Sequence, residues 1–85
     1  MDSENAEKTF EKYAAMRTLP RQLKKKKEVL SILIRHFKKN KNYTEDDIDA
    51  VIKNFFDDYT GVRRELIDLG FMQRNLLGTE YRRIK

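Results

Sequence analysis

Cysteine and tryptophan are absent from this 85-residue chain, proline and histidine occur once each, and glycine occurs three times. Without cysteine there is no disulfide and no thiolate metal site, so apolar packing has to hold the fold, as suits a reducing cytosol. The expected compartment is therefore cytoplasmic. Long apolar runs are missing too: none exceeds four residues, whereas a membrane helix needs ~20. No membrane partner is expected, and residues 1–6, acidic and polar with no apolar core, do not read as a signal peptide. His36, Ser3 and Ser31 have no base-and-orienter partners near them in sequence, which leaves little for nucleophilic or acid–base catalysis. Asp46, Asp47 and Asp49 lack the pattern of a calcium loop, and there is no Gly-rich phosphate loop. A non-enzyme is expected, with no metal, no cofactor and no evident small-molecule substrate.

What is abundant is charge, and it is unevenly spread. Residues 17–42 carry ten Lys or Arg against Glu28 alone, a net of +9, while residues 43–58 carry Lys53 against six acids, a net of −5. The flanking segments are milder, −2 over residues 1–16 and +3 over residues 59–85, within a total of +5. Such a distribution draws polyanions to some faces and repels them from others. A domain this short buries only a little over ~60% of the surface its unfolded chain exposes, so its stability margin is thin.

Apolar spacing predicts four helices. Phe10, Tyr13 and Ala14 suggest one over residues 6–16, with its start open to disorder. Pro20 suits the first turn of a second, running to about residue 39 with Leu23, Leu30, Leu33, Ile34 and Phe37 on its apolar stripe. Tyr43 reads as a brief extended residue. Thr44, three before Asp47, resembles a capping arrangement for a third helix over residues 45–56, whose face is Ile48, Val51, Ile52 and Phe55. Asp57 or Asp58 can cap a fourth, in which Tyr59, Val62, Leu66 and Leu69 share one side and Gly70 is the stop. Gly61 inside that helix costs roughly 1 kcal/mol relative to alanine, and close helix packing is the expected reason for it. Residues 71–74 and 79–84 around a Gly-containing loop read as a hairpin.

This order predicts an α+β, mainly helical fold: a winged helix-turn-helix over residues 19–85 with a C-terminal β-hairpin wing, preceded by an extra N-terminal helix in a partly helical or disordered extension, residues 1–18. The stretches Leu19-Pro20-Arg21, Tyr43-Thr44-Glu45, Asp58-Tyr59, Val62-Arg63-Arg64-Glu65-Leu66, Leu69-Gly70-Phe71-Met72 and Glu80-Tyr81 resemble the bacterial domain-of-unknown-function family 2087 over residues 19–83. Members occur alone or behind an arsenic-repressor-type DNA-binding domain, so the resemblance implies a link to transcription regulation.

The candidate contacts follow from the fold. Thr60, Arg63 and Arg64 stand in the recognition-helix position, where arginine can pair with guanine edges or grip phosphate; Arg64 and Asp68, four apart, also read as a surface ion bridge on a solvated helix, the commoner use of helical arginines. Arg74, Arg82 and Arg83 stand on the wing, where they can meet phosphate or simply guard an edge strand against pairing. The lysines 24–27 point around most of the second helix, so they form no single flat patch, though some can join a basic stripe with Arg17, Arg21, Arg35, Lys38 and Lys39. Helix starts, the usual phosphate sites, are acidic here: Glu45, Asp46 and Asp47 at one, Asp57 and Asp58 at the next. DNA is the expected partner, bound through the fourth helix and wing. The alternative is a protein-interaction module, with a protein partner or a second copy pairing the −5 and +9 segments head to tail.

Overall fold

The computed structural model describes residues 3–85. Residues 1 and 2 of the expected extension lie outside the described residues. Four helices, α1 (Ser3–Ala15), α2 (Leu23–Leu33), α3 (Glu45–Ile52) and α4 (Tyr59–Asp68), pack against a small sheet of β1 (Asn42–Tyr43), β2 (Met72–Arg74) and β3 (Tyr81–Arg83). The sheet is antiparallel with order β1-β3-β2. This is an α+β chain with a winged-helix-like layout, the hairpin forming the wing. Among the described residues no helix is long and apolar enough to cross a membrane.

One core joins every element: Ala6 and Phe10 from α1, Val29, Leu30 and Leu33 from α2, Ile48 and Ile52 from α3, Val62 and Leu66 from α4, and Met72 and Tyr81 from the strands. The expected boundary between residues 18 and 19 thus runs through a shared interior. Arg17 reinforces the join. It stands at φ 55°, two residues past the end of α1, where Thr18 N–H reaches the Tyr13 carbonyl (3.1 Å) and Arg17 N–H the Ala14 carbonyl (3.0 Å). These two bonds close a Schellman turn on a non-glycine residue. Its guanidinium then crosses to the end of α3, donating to the carbonyl of Lys53 (2.6 Å) and to Asp57 (2.6 Å).

Several helix limits differ from the periodicity. α2 starts at Leu23, because Gln22 is still extended (φ −65°, ψ 128°), and Leu23 is 52% exposed instead of lying on the apolar stripe. At its far end the backbone tightens to a 3-10 turn over Ile34–His36 and then extends at Phe37, which drives that ring into the core. α3 stops at Ile52 rather than residue 56; Asn54 and Phe55 N–H groups bond three residues back, and the turn they make places Phe56 inside and Phe55 against Phe10.

Candidate nucleic-acid interface

Both inner helix starts are closed by acidic caps. At α3, Thr44 Oγ1 accepts from Asp47 N–H (3.1 Å) and Asp47 Oδ2 accepts from Thr44 N–H (3.0 Å), a reciprocal capping box. The backbone N–H of Thr44 first, and then its hydroxyl, hold the Asp47 carboxyl below its ordinary value of 3.8. At α4 the cap is Asp58, whose Oδ1 accepts from Gly61 N–H (3.0 Å), while Asp57 pairs with Arg17. A Cβ on Gly61 would collide with that same Asp58 carboxylate. The tightest crowding at Gly61 therefore comes from its own cap, where the sequence suggested close packing of a neighbouring helix. One first-turn donor at each of these helix starts, Asp47 N–H and Gly61 N–H, is thereby taken, and the acidic side chains around the rest repel phosphate.

The two adjacent arginines of α4 part ways. Arg63 turns toward α3, where its guanidinium pairs with Asp49 and with Glu45 (2.9 Å); the Arg63 and Asp49 side chains are each only 12% exposed. Burial on its own would lower the Arg63 pKa, but the hydrogen bond that Arg63 donates to Asp49 and the charges of Asp49 and Glu45 outweigh it and carry the net shift upward. Reaching a base edge would mean breaking these pairs, so Arg63 is a clamp between α3 and α4 and not a free reader. Arg64, about 100° further round the helix, is exposed, and among the described residues neither Asp68 nor any other acid forms an ion pair with it. Thr60 lies one turn before Arg64 on the same side and is half-buried.

The sheet sorts the wing arginines in the same way. Arg74 stands opposite Tyr81, Gln73 opposite Arg82 and Met72 opposite Arg83. Directly opposed residues share a face, and the buried Met72 and Tyr81 mark the inner one. Arg74 is thus on the α4 side, and Arg82 is exposed on the outer face with Gln73 and Asn42. Arg83 faces inward, donating from Nη1 to the Phe37 carbonyl (2.9 Å) and from Nη2 to that of Lys85 (3.2 Å), so it ties the sheet to the end of α2. Its expected phosphate contact would compete with these internal bonds.

Arg64 and Arg74 share one cleft. Together with Arg63, Ile67, Asp68 and Tyr81 they line a cleft of about 380 Å³ between α4 and the hairpin. A hollow of about 440 Å³ lies elsewhere, between the α1–α2 connection and the α3–α4 turn, floored by Leu19, Pro20, Phe56 and Val62. Ion pairs Arg17–Asp57 and Lys26–Glu65 close much of its rim, so the α4–hairpin cleft is the better anion-facing surface. The basic stripe of α2 is likewise thinned, since Lys26 pairs with Glu65 and Arg35 with Glu7, although Lys24, Lys25 and Lys27 remain exposed.

A family model described as "Uncharacterized protein conserved in bacteria (DUF2087)" matches residues 15–83. The chain belongs to this family. The DUF2087 region begins at the last residue of α1 and takes in α2 to β3, including the α4–hairpin cleft. No curated protein and no solved structure matches the chain.

Nothing in the periodicity separated Arg63 from Arg64. The usable signal lay in α3, where Glu45 and Asp49, four apart, share the helix face of Ile48 and Ile52. An acid on a buried face requires a cationic partner, and α4 offered one.

Proposed function

We propose that this DUF2087 protein binds DNA as a regulator or regulator-associated module, through the exposed side of α4 and the hairpin, and performs no catalysis. The observation that carries this reading is the convergence of Arg64 and Arg74, from two different elements, on one cleft. Arg64 is without an acidic partner among the described residues, and the guanidinium of Arg74 makes only a long bond (3.4 Å) to the Asn75 carbonyl. Guanidiniums on one cleft suit phosphates or a phosphate and a base edge, since each can donate in a bidentate fork. Thr60 and Arg82 flank the contact, on the helix and on the outer face of the sheet. Arg63 and Arg83 act in support, by holding α4 and β3 in place. The caps of α3 and α4 repel phosphate, which directs the duplex toward the middle of α4 and the wing.

Self-association by head-to-tail pairing of the −5 and +9 segments is the weaker alternative, because Glu45 and Asp49 serve Arg63, Asp57 serves Arg17, and Asp47 and Asp58 serve as caps. Anisotropy titration against mixed-sequence duplex DNA at low salt tests the proposal. Salt-sensitive binding is expected, and Arg64→Ala and Arg74→Ala should each weaken it and lower the salt slope by about 1. Absence of binding by the folded protein overturns the reading.

A further inference from the structure

The hairpin ends in a turn whose two central residues are leucines. Leu76 is 99% exposed and Leu77 85%, the most exposed large apolar side chains among the described residues. Their exposure does not come from a slack loop. Gly78 N–H donates to the Asn75 carbonyl (3.1 Å), closing a four-residue turn with Leu76 and Leu77 at its corners. Asn75 Oδ1 also accepts from Thr79 N–H (2.9 Å) and Glu80 N–H (3.2 Å), and Asn75 Nδ2 donates to Thr79 Oγ1 (2.8 Å). Gly78 holds φ at +70°, and a Cβ there would meet Arg74 Nη1 at 3.2 Å. The guanidinium of Arg74 therefore lies against the base of the turn. Two apolar side chains are held outward at the end of a fixed strand pair, with a cation behind them.

We infer that Leu76 and Leu77 form a wedge that inserts into the minor groove of double-stranded DNA and partly unstacks a base step. The inference rests on the DNA reading above and gives the wing tip a separate task within it. Two leucine side chains offer far less than the ~800 Å² per partner of a stable protein interface, so a second copy of this chain would gain little by covering them. A duplex differs, because phosphate contacts supply most of the affinity and the wedge need fill only the gap between two bases. Leucine is among the residues used in that way, and Arg74, at the root of the turn, is placed for the adjoining phosphates. A turn ordered beforehand loses little freedom on insertion.

The test uses the full chain and a mixed set of A·T-rich duplexes carrying 2-aminopurine at TA steps, read by anisotropy for binding and by 2-aminopurine fluorescence for unstacking. Wild-type protein should bind and raise the fluorescence. The L76A/L77A double variant should lose the rise and bind about tenfold more weakly, with an unchanged salt slope and an unchanged Tm, because these side chains are almost wholly exposed. Arg74→Ala should show the opposite pattern, a shallower salt slope with the rise retained, and L76M/L77M should behave as wild type. Salt-sensitive binding with no rise, or a double variant that keeps both rise and affinity, overturns the wedge while the DNA reading stands. No binding at all overturns both.

Discussion

Between Arg63 and Arg64 the helix turns by about 100°, and that rotation carries one guanidinium beneath the acids of α3 and leaves the other in solvent. Arg63→Ala would strand the Asp49 carboxylate, which is 8% exposed as a whole residue, with no partner for its charge. Removing one member of a buried pair costs about 3–5 kcal/mol, and the loss here should fall near about 3 because Glu45, the second acid, is half-exposed and stays hydrated. Arg64→Ala, at an exposed position without an ion pair, should change stability by less than about 0.5 kcal/mol. Urea unfolding of the two variants measures the contrast; equal losses would mean that the Arg63 clamp contributes nothing particular. In the sequence both residues fit the same role. Their separation depends on which face of α4 meets α3, and that is a packing property to which only the acids on the buried face of α3 pointed.

At the scale of elements, the capping residues were the most legible part of the chain, because a cap is a local bargain between a side chain and N–H groups two or three residues away. Thr44→Ala should lower stability by about 1 kcal/mol. Its partner supplies a pH signature. The Asp47 pKa is depressed in the folded protein, so its contribution is present above the unfolded value near 3.8 and is lost as the pH falls through the folded value. The stability gap between wild type and Asp47→Ala should therefore be open at neutral pH and close on acidification below about 3.8; a gap that persists there would show that the box does not depend on the carboxylate. Helix ends set by tertiary packing were not legible. Periodicity ran on through the 3-10 turn after α2 and through the turn after α3, since a tightened backbone still presents Phe37 and Phe56 to the core. The hairpin was visible from Gly78 and its flanking strands, but its pairing with β1 was not, because two residues are too few for an alternation to register.

For the molecule as a whole, α1 decides how much of the chain is one folding unit. The family match begins at residue 15, and the sequence suggested a partly helical or disordered extension over residues 1–18, yet Phe10 is 8% exposed and meets Phe55 edge-on at 5.2 Å, with Phe56 and His36 each at 6.2 Å. That cluster joins α1 to the turn that ends α3, the same turn whose carbonyls Arg17 caps. A small domain has little stability to spare, of order 0.05–0.15 kcal/mol per residue, and emptying one aromatic site costs about 3–5 kcal/mol. Phe10→Ala should therefore lower Tm by more than about 10 °C, given the several degrees that each kcal/mol is worth at this size. Arg17→Ala should lower it less, since the residue is exposed and alanine meets the same positive φ. Thermal melts followed by circular dichroism give both values. If α1 contributed nothing to the shared core, Phe10→Ala would leave Tm within a degree or two of wild type; the aromatic cluster that joins α1 to the turn after α3 requires the large fall.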